Sequence, residues 1–165
     1  MALEIERRFL IKNENWKKFT TKKIFIEQGY LSKNLDDWII RIRFSGEGFK
    51  IALKKHIAGF TNFEFEYSIP QKDGEMIMSN LSNTIKKERF FVEFEKKSWI
   101  IDCFKENNYP LEIAEIELSN EKETLSLPSF ISEEITGLPH YSNFSLANKP
   151  FTKWKDNYLT NKKNN

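Results

Sequence analysis

A chain of 165 residues suits one domain with a sizeable core, and 39% hydrophobic with 30% charged residues excludes a disordered chain. Lys plus Arg number 26 and Asp plus Glu 24, so no basic excess marks a general nucleic-acid or membrane-surface binder. The single cysteine, Cys103, excludes an internal disulfide and a cysteine-built zinc cluster, and no apolar run has signal-peptide or bilayer-spanning length. A cytoplasmic protein is expected, with no nucleic-acid and no membrane partner.

In chain order, Leu3 to Leu10 alternates as a strand, with Glu4, Glu6 and Arg8 on one face and Leu3, Ile5 and Phe9 on the other. Asn13 caps a short helix through Phe19. Ile24 to Leu31 is the second strand, with Ile24, Ile26, Gln28 and Tyr30 sharing a face. After the polar turn at 32–37, Trp38 to Phe44 puts Arg41 and Arg43 together, opposite Ile40, Ile42 and Phe44. Ser45-Gly46-Glu47-Gly48 is a hairpin signal, and Phe49 to Lys55 returns with Lys50, Ala52 and Lys54 on one face. Thr61 to Ile69 places Glu64 and Glu66 opposite Phe63, Phe65 and Tyr67, and Pro70 ends it.

A helix capped by Asp73 runs to about Ser82. Ile85 to Glu93 carries Lys87, Arg89 and Phe91 on one face; Trp99 to Phe104 adds Asp102; Leu111 to Leu118 adds Glu115 and Glu117. The remainder reads as helical: one helix from Ser119 or Asn120 to Leu125, one from Pro128 to near Gly137, and a third over Tyr141 to Ala147. Residues 1–150 form a single domain, and 151–165 a Lys/Asn-rich tail that frays from about Trp154.

Eight strands result, seven with charge on one face and apolar or aromatic residues on the other. An antiparallel sheet with one solvated face explains any single strand. It explains the set less well, because pairs of like charge recur on neighbouring positions and like charges side by side are unfavourable without compensation. Eight strands suit a closed barrel. With its apolar face outward under helices, the charged rows become a polar lumen: an α+β fold, a closed eight-stranded antiparallel β-barrel with helices packed outside. Acidic strips suit a hard divalent cation and basic strips suit phosphate oxygens.

These residues also resemble a known family. Glu4-Ile5-Glu6-Arg7-Arg8 is similar to the N-terminal Glu-x-Glu-x-Lys signature of the CYTH, or triphosphate tunnel metalloenzyme, superfamily. The resemblance continues in order through Gln28-Gly29-Tyr30-Leu31, Arg41-Ile42-Arg43, Leu53-Lys54, Glu64-Phe65-Glu66, Lys87-Glu88-Arg89, Asp102 and Glu115-Ile116-Glu117. Tyr141-Ser142-Asn143 with Leu146-Ala147 resembles the C-terminal helix of small bacterial members.

The resemblance implies a tunnel that binds a linear triphosphate with Mg²⁺ or Mn²⁺. Members hydrolyse inorganic tripolyphosphate, nucleoside triphosphates or thiamine triphosphate, and some cyclise ATP. Carried over by motif, Arg8, Arg41, Arg43, Lys54, Lys87 and Arg89 hold phosphates. Glu4, Glu6, Glu115 and Glu117 hold metal, with Glu64 and Glu66 as further candidates. Arg8, Glu4, Glu6 and Asp102 are the candidate catalytic groups.

Two departures stand out. The signature lysine is Arg8, which keeps the charge but cannot act as a base. The basic residue usual before the C-terminal Tyr is matched by His140 after Pro139. Tyr30 is open between lining the lumen and packing. His56 falls in a turn, Cys103 in the apolar layer, and the Phe63, Phe65, Tyr67 row packs against helices. The expected function is hydrolysis of inorganic tripolyphosphate by a monomer or homodimer. Nucleotide or thiamine triphosphate chemistry and a non-catalytic polyphosphate-binding module are the alternatives.

Overall fold

Side-chain alternation along the strands decides the architecture, because one face of each strand is ionic and the other is not. The computed structural model describes residues 3–34 and 37–155. Among these, β1 (Leu3–Ile11), β2 (Thr20–Tyr30), β3 (Ile39–Phe44), β4 (Phe49–Ala58), β5 (Thr61–Ile69), β6 (Thr84–Phe94), β7 (Lys97–Phe104) and β8 (Glu112–Glu117) form the barrel. Its order is β5-β4-β3-β2-β6-β7-β8-β1, and β1 pairs back onto β5 to close it. All the pairings are antiparallel. The expected eight-stranded tunnel is present.

Closure is short. Leu3, Glu4 and Ile5 pair with Phe63, Asn62 and Thr61. Beyond this seam β5 diverges, and the same edge of β1 is taken by β9 (Ile131–Glu134), with Phe9 opposite Glu134 and Ile11 opposite Ile131. The helix expected from Pro128 to Gly137 is therefore a strand. Ile131 and Ile135 stand four apart, which reads as helical, but an open strand edge needs a hydrogen-bonding partner and β9 supplies it.

The helix expected from Ser119 to Leu125 is also absent. Lys122 N–H donates to Asn120 Oδ1 at 3.0 Å and Ser119 N–H to Glu123 Oε2 at 2.8 Å, so the capping residues close a turn and do not start a helix. The segment after Asn13 is a 3₁₀ helix, Glu14–Phe19, and its cap accepts from Asn15 N–H. Helix α1 (Gln71–Ser79) begins two residues before Asp73. Gly46 and Gly48 turn the β3–β4 hairpin in the left-handed region, as the glycines predict.

Two apolar cores flank the ionic layer. The first lies outside the barrel: Phe9, Val92, Trp99, Ile101, Ala114 and Ile116 pack under Trp16, Phe130 and Ile131. Cys103 packs at its margin. The second lies inside one end. Tyr30, Ile85, Phe104 and Ile113 share the inward parity of the charged residues, and helix α2 (Asn143–Asn148) caps them with Phe144, Leu146 and Ala147. Phe151 and Trp154 pack against this cluster, so the packed body reaches Trp154, while 156–165 of the expected tail lie outside the described residues.

Helix α1 packs on β3 and β4, where Gly74 lies so close to the Phe49 ring that an added Cβ would stand 2.1 Å from it. The Phe63, Phe65, Tyr67 row is thus not buried under a helix. Phe63 and Phe65 stack half-buried and Tyr67 is 58% exposed. His56 extends β4 and does not form a turn. No helix among the described residues is long and apolar enough to cross a membrane.

Leu146 is fully buried where α2 closes the barrel. Leu146→Ala should cost about 2–5 kcal/mol in denaturant unfolding, the range for a cavity that cannot collapse.

Candidate functional site

The inward rows meet in a cavity of about 340 Å³, lined by Glu4, Glu6, Gln28, Arg41, Arg43, Lys54, Glu64, Glu66, Lys87, Arg89, Glu115, Glu117 and Asn143 together with Leu3. Of the residues expected at the site, Arg8, Asp102 and Tyr30 stand behind this wall; the rest line it. Gln28 and Asn143 were not expected. Gln28 shares its strand face with Tyr30, so alternation alone could have found it, whereas Asn143 enters only through the fold of the C-terminal segment.

One wall is a continuous chain of charge-assisted hydrogen bonds. Asp102 is fully buried. Its Oδ1 accepts from Arg89 Nε at 2.7 Å, and its Oδ2 accepts from Arg89 Nη2 at 2.7 Å and from Lys87 Nζ. Lys87 also donates to Asn143 Oδ1 at 3.1 Å. Arg89 Nη2 donates to Glu115 Oε2 at 3.2 Å, and Arg8 Nε to Glu115 Oε1 at 3.1 Å. Arg8 Nη1 reaches the Tyr141 carbonyl at 3.1 Å. Both ends of the chain are therefore anchored on the C-terminal segment.

The facing wall is built on β3, β4 and β5. Arg41 Nη2 donates to Glu64 Oε1 at 2.8 Å and Glu66 Oε2 at 3.1 Å, and Arg43 also donates to Glu66. Lys50, outside the expected set, reaches Glu66 Oε1 at 3.1 Å. Lys54 pairs with Glu4 and lies 3.5 Å from Glu6 and 3.9 Å from Glu64.

Burial and crowding shift these groups in opposite directions. Burial, and then the neighbouring Glu6, push Glu4 up to about 8 against the pull of Lys54. Burial drives Lys87 down to about 8 although Asp102 opposes it. Burial alone would raise Asp102, but Arg89 and Lys87 outweigh it and hold the carboxyl well below its usual range. Burial pushes the Tyr30 phenol up to about 12. Tyr30, left open between lining and packing, packs: its ring lies edge-on against Phe144, and its hydroxyl accepts from Gln28 Nε2 at 2.6 Å behind the wall.

Among the described residues, two guanidinium nitrogens are buried without a partner, Arg8 Nη2 and Arg41 Nε. A buried N–H without an acceptor is costly and suits an anion that arrives later. The lumen and the layer behind it set Glu4, Glu6, Glu64, Glu66, Asp102, Glu115 and Glu117 against Arg8, Arg41, Arg43, Lys50, Lys54, Lys87 and Arg89, with burial holding Glu4 toward its neutral form. Among the described residues no three carboxylates, imidazoles or thiolates converge to hold an ion unaided. The donors nonetheless fit a hard cation. Glu6 and Glu117 are carboxylates in direct register across β1 and β8, and such ions commonly complete their shell with water and substrate phosphate.

A closed antiparallel barrel with cationic and acidic rows facing one cavity defines a polyanion-binding tunnel. Relatives agree. An inorganic triphosphatase from Acetivibrio thermocellus is 33% identical over 159 residues, covering 94% of this chain and 100% of its own. The crystal structure of an inorganic triphosphatase superposes with a TM-score of 0.65 at 25% identity, over 89% of this chain and 95% of that one. A Hippeastrum protein described by its dominant triphosphatase activity shares the fold, with a TM-score of 0.54 at 14% identity over 73% and 80% of the two chains. No family model matches the chain. The chain belongs to the CYTH, or triphosphate tunnel metalloenzyme, superfamily. Membership implies a divalent metal and a triphosphate-containing substrate.

Asp102 gives the site a measurable signature. Its folded pKa is depressed, so its ionised form stabilises the fold above the unfolded value near ~3.9, and that stability is lost as pH falls through the folded value. Asp102→Asn leaves Lys87 and Arg89 buried without their counter-charge and should cost about 3–5 kcal/mol at pH 7. Urea unfolding of both proteins checks this, and the gap should narrow below about pH 4. A gap constant with pH would show that Asp102 is not ionised in the fold.

Proposed function

We propose that this protein hydrolyses a linear triphosphate, with inorganic tripolyphosphate as the substrate and Mg²⁺ or Mn²⁺ as the ion. The observation that carries the reading is a buried, unpartnered guanidinium donor, Arg41 Nε, on the wall of a lumen lined with cations, with Arg8 Nη2 a second such donor behind that wall. The curated relative is an inorganic triphosphatase matched over nearly the whole chain, which supports the substrate.

In this reading Arg41, Arg43, Lys54, Lys87 and Arg89 bind phosphate oxygens from both walls. Glu6 and Glu117 hold the ion, with Glu4, Glu64, Glu66 and Glu115 nearby. A triphosphate brings about four negative charges beside the acidic row, so it needs a cation alongside it. When bound, the ion supplies positive charge to phosphate oxygens and eases formation of the attacking hydroxide. The protein orients the chain for in-line displacement and meets charge developing on the leaving phosphate.

One candidate role changes and one is kept. Asp102 has both oxygens occupied by Arg89 and Lys87 and does not reach the cavity, so it positions those cations and is no base for water. Arg8 has one nitrogen left for a phosphate that reaches behind the wall, Nη2, because Nε and Nη1 are bound to Glu115 and Tyr141, and as a guanidinium it transfers no proton.

Phosphate release should be seen from tripolyphosphate with Mg²⁺ or Mn²⁺, be lost in excess chelator, and be slower from ATP and thiamine triphosphate. Release from none of them would favour a binding module, and full release in chelator would remove the metal. Arg8→Ala should lower kcat and weaken substrate binding, each by about tenfold for one charge-assisted contact, and should also lower Tm because Glu115 and Tyr141 lose a partner. Lowered Tm with unchanged kinetics would confine Arg8 to the scaffold.

A further inference from the structure

We propose that Lys54 is a built-in counter-ion for the acidic row, so that the resting enzyme takes up its divalent cation together with the triphosphate and not ahead of it. This rests on the proposed function, since it concerns how the same lumen accepts the ion.

Three observations point to it. Lys54 projects from β4 across β5, directly opposite Glu64 in register, and its ammonium stands among Glu4, Glu6 and Glu64. The ammonium pairs with Glu4 and stands within 4 Å of Glu6 and Glu64, so it sets one positive charge among three acidic groups, as a cation would. Second, Glu6, which faces Glu117 in register across β1 and β8, is one of the groups beside that ammonium, at 3.5 Å. Third, its side chain is 26% exposed on a flexible four-carbon stem, so it can leave without unpacking a core.

Free metal must therefore displace Lys54 and leave an ammonium unpaired in a half-buried wall. A metal–triphosphate complex avoids that cost. The ion takes the carboxylates while a phosphate oxygen takes Lys54, and every charge exchanges one partner for another. The competing account makes Lys54 a fixed clamp across the β1–β5 seam, which has only three register pairs.

Lys54→Met separates the two accounts, because it keeps the length of the stem and removes the charge. Titrated with Mn²⁺ alone, without phosphate, Lys54→Met should bind at least about tenfold tighter than wild type, the effect of removing an internal competitor. Lys54→Arg, which keeps the charge, should stay weak. Mn²⁺ should also raise the Tm of Lys54→Met more than that of wild type. Mn²⁺ binding to Lys54→Met no tighter than to wild type overturns the proposal. If the variant does not fold, wild type alone decides: tight binding of free Mn²⁺ without tripolyphosphate overturns it, and binding only when tripolyphosphate is present supports it. Failure of the function itself looks different, as phosphate release undiminished by chelator or absent altogether.

Discussion

The buried carboxylate of Asp102 is the interaction on which the rest of the structure depends. A barrel turned inside out, with charge in its lumen, is stable only if each buried ion meets an opposite charge or a hydrogen bond. Asp102 neutralises Lys87 and Arg89 together. From there the chain of bonds runs through Glu115 to Arg8, and it ends at Asn143 on one side and the Tyr141 carbonyl on the other. The groups poised toward the cavity therefore also hold the C-terminal segment in place. Lining and plug are one unit, and the plug is positioned by charge as much as by the packing of Phe144 and Leu146.

The same inversion governs the outside. A sheet whose apolar face points away from the lumen must be covered, and over β6, β7, β8 and part of β1 the cover is deepest, burying Val92, Trp99, Ile101, Ala114 and Ile116. The Glu14–Phe19 turn brings Trp16 against Phe90, the 119–130 segment brings Phe130 against Trp99, and β9 seals the edge. Over β3, β4 and β5 the cover is partial, and Phe63, Phe65 and Tyr67 stay accessible. Unequal cover follows from chain economy: among the described residues the Glu14–Phe19 and 119–130 segments, β9 and helix α1 serve eight strands. The ionic layer does not need that cover, because its own pairs lie between the walls.

Much of this was legible, because alternation and charge are local. Paired charges at Glu4 and Glu6, Arg41 and Arg43, Lys87 and Arg89, and Glu115 and Glu117 place both walls of the lumen from spacing alone. What escaped was long-range. Ile131 to Glu134 is a strand only because β5 leaves β1 after Ile5 and an edge falls vacant, a condition set more than sixty residues away in the chain. The destination of the last helix escaped too. Its amphipathic pattern says that one face is buried, yet nothing local says that the face meets inward residues such as Tyr30 and Ile113, and so Asn143 was not seen to touch Lys87. Asp102 was found by motif but placed on the wrong side of the wall, since alternation gives a side chain's face and not its depth.

Arginine at position 8 shows how one substitution reshapes such a network. A lysine has a single nitrogen on a flexible stem, and at this position it would face either the carboxylate or the cavity. The planar guanidinium makes two contacts at once: Nε holds Glu115, Nη1 holds the backbone carbonyl of Tyr141, and Nη2 is left over. The residue thereby ties the first strand to the last turn, which a point charge does less firmly, and it gives up proton transfer in doing so. That loss is tolerable only where binding does not hang on one ammonium. Here the cations are spread over both walls, with Lys87 and Arg89 on one and Arg41, Arg43 and Lys54 on the other. Position 8 can therefore shift from chemistry toward scaffolding while the lumen keeps its capacity for a polyanion.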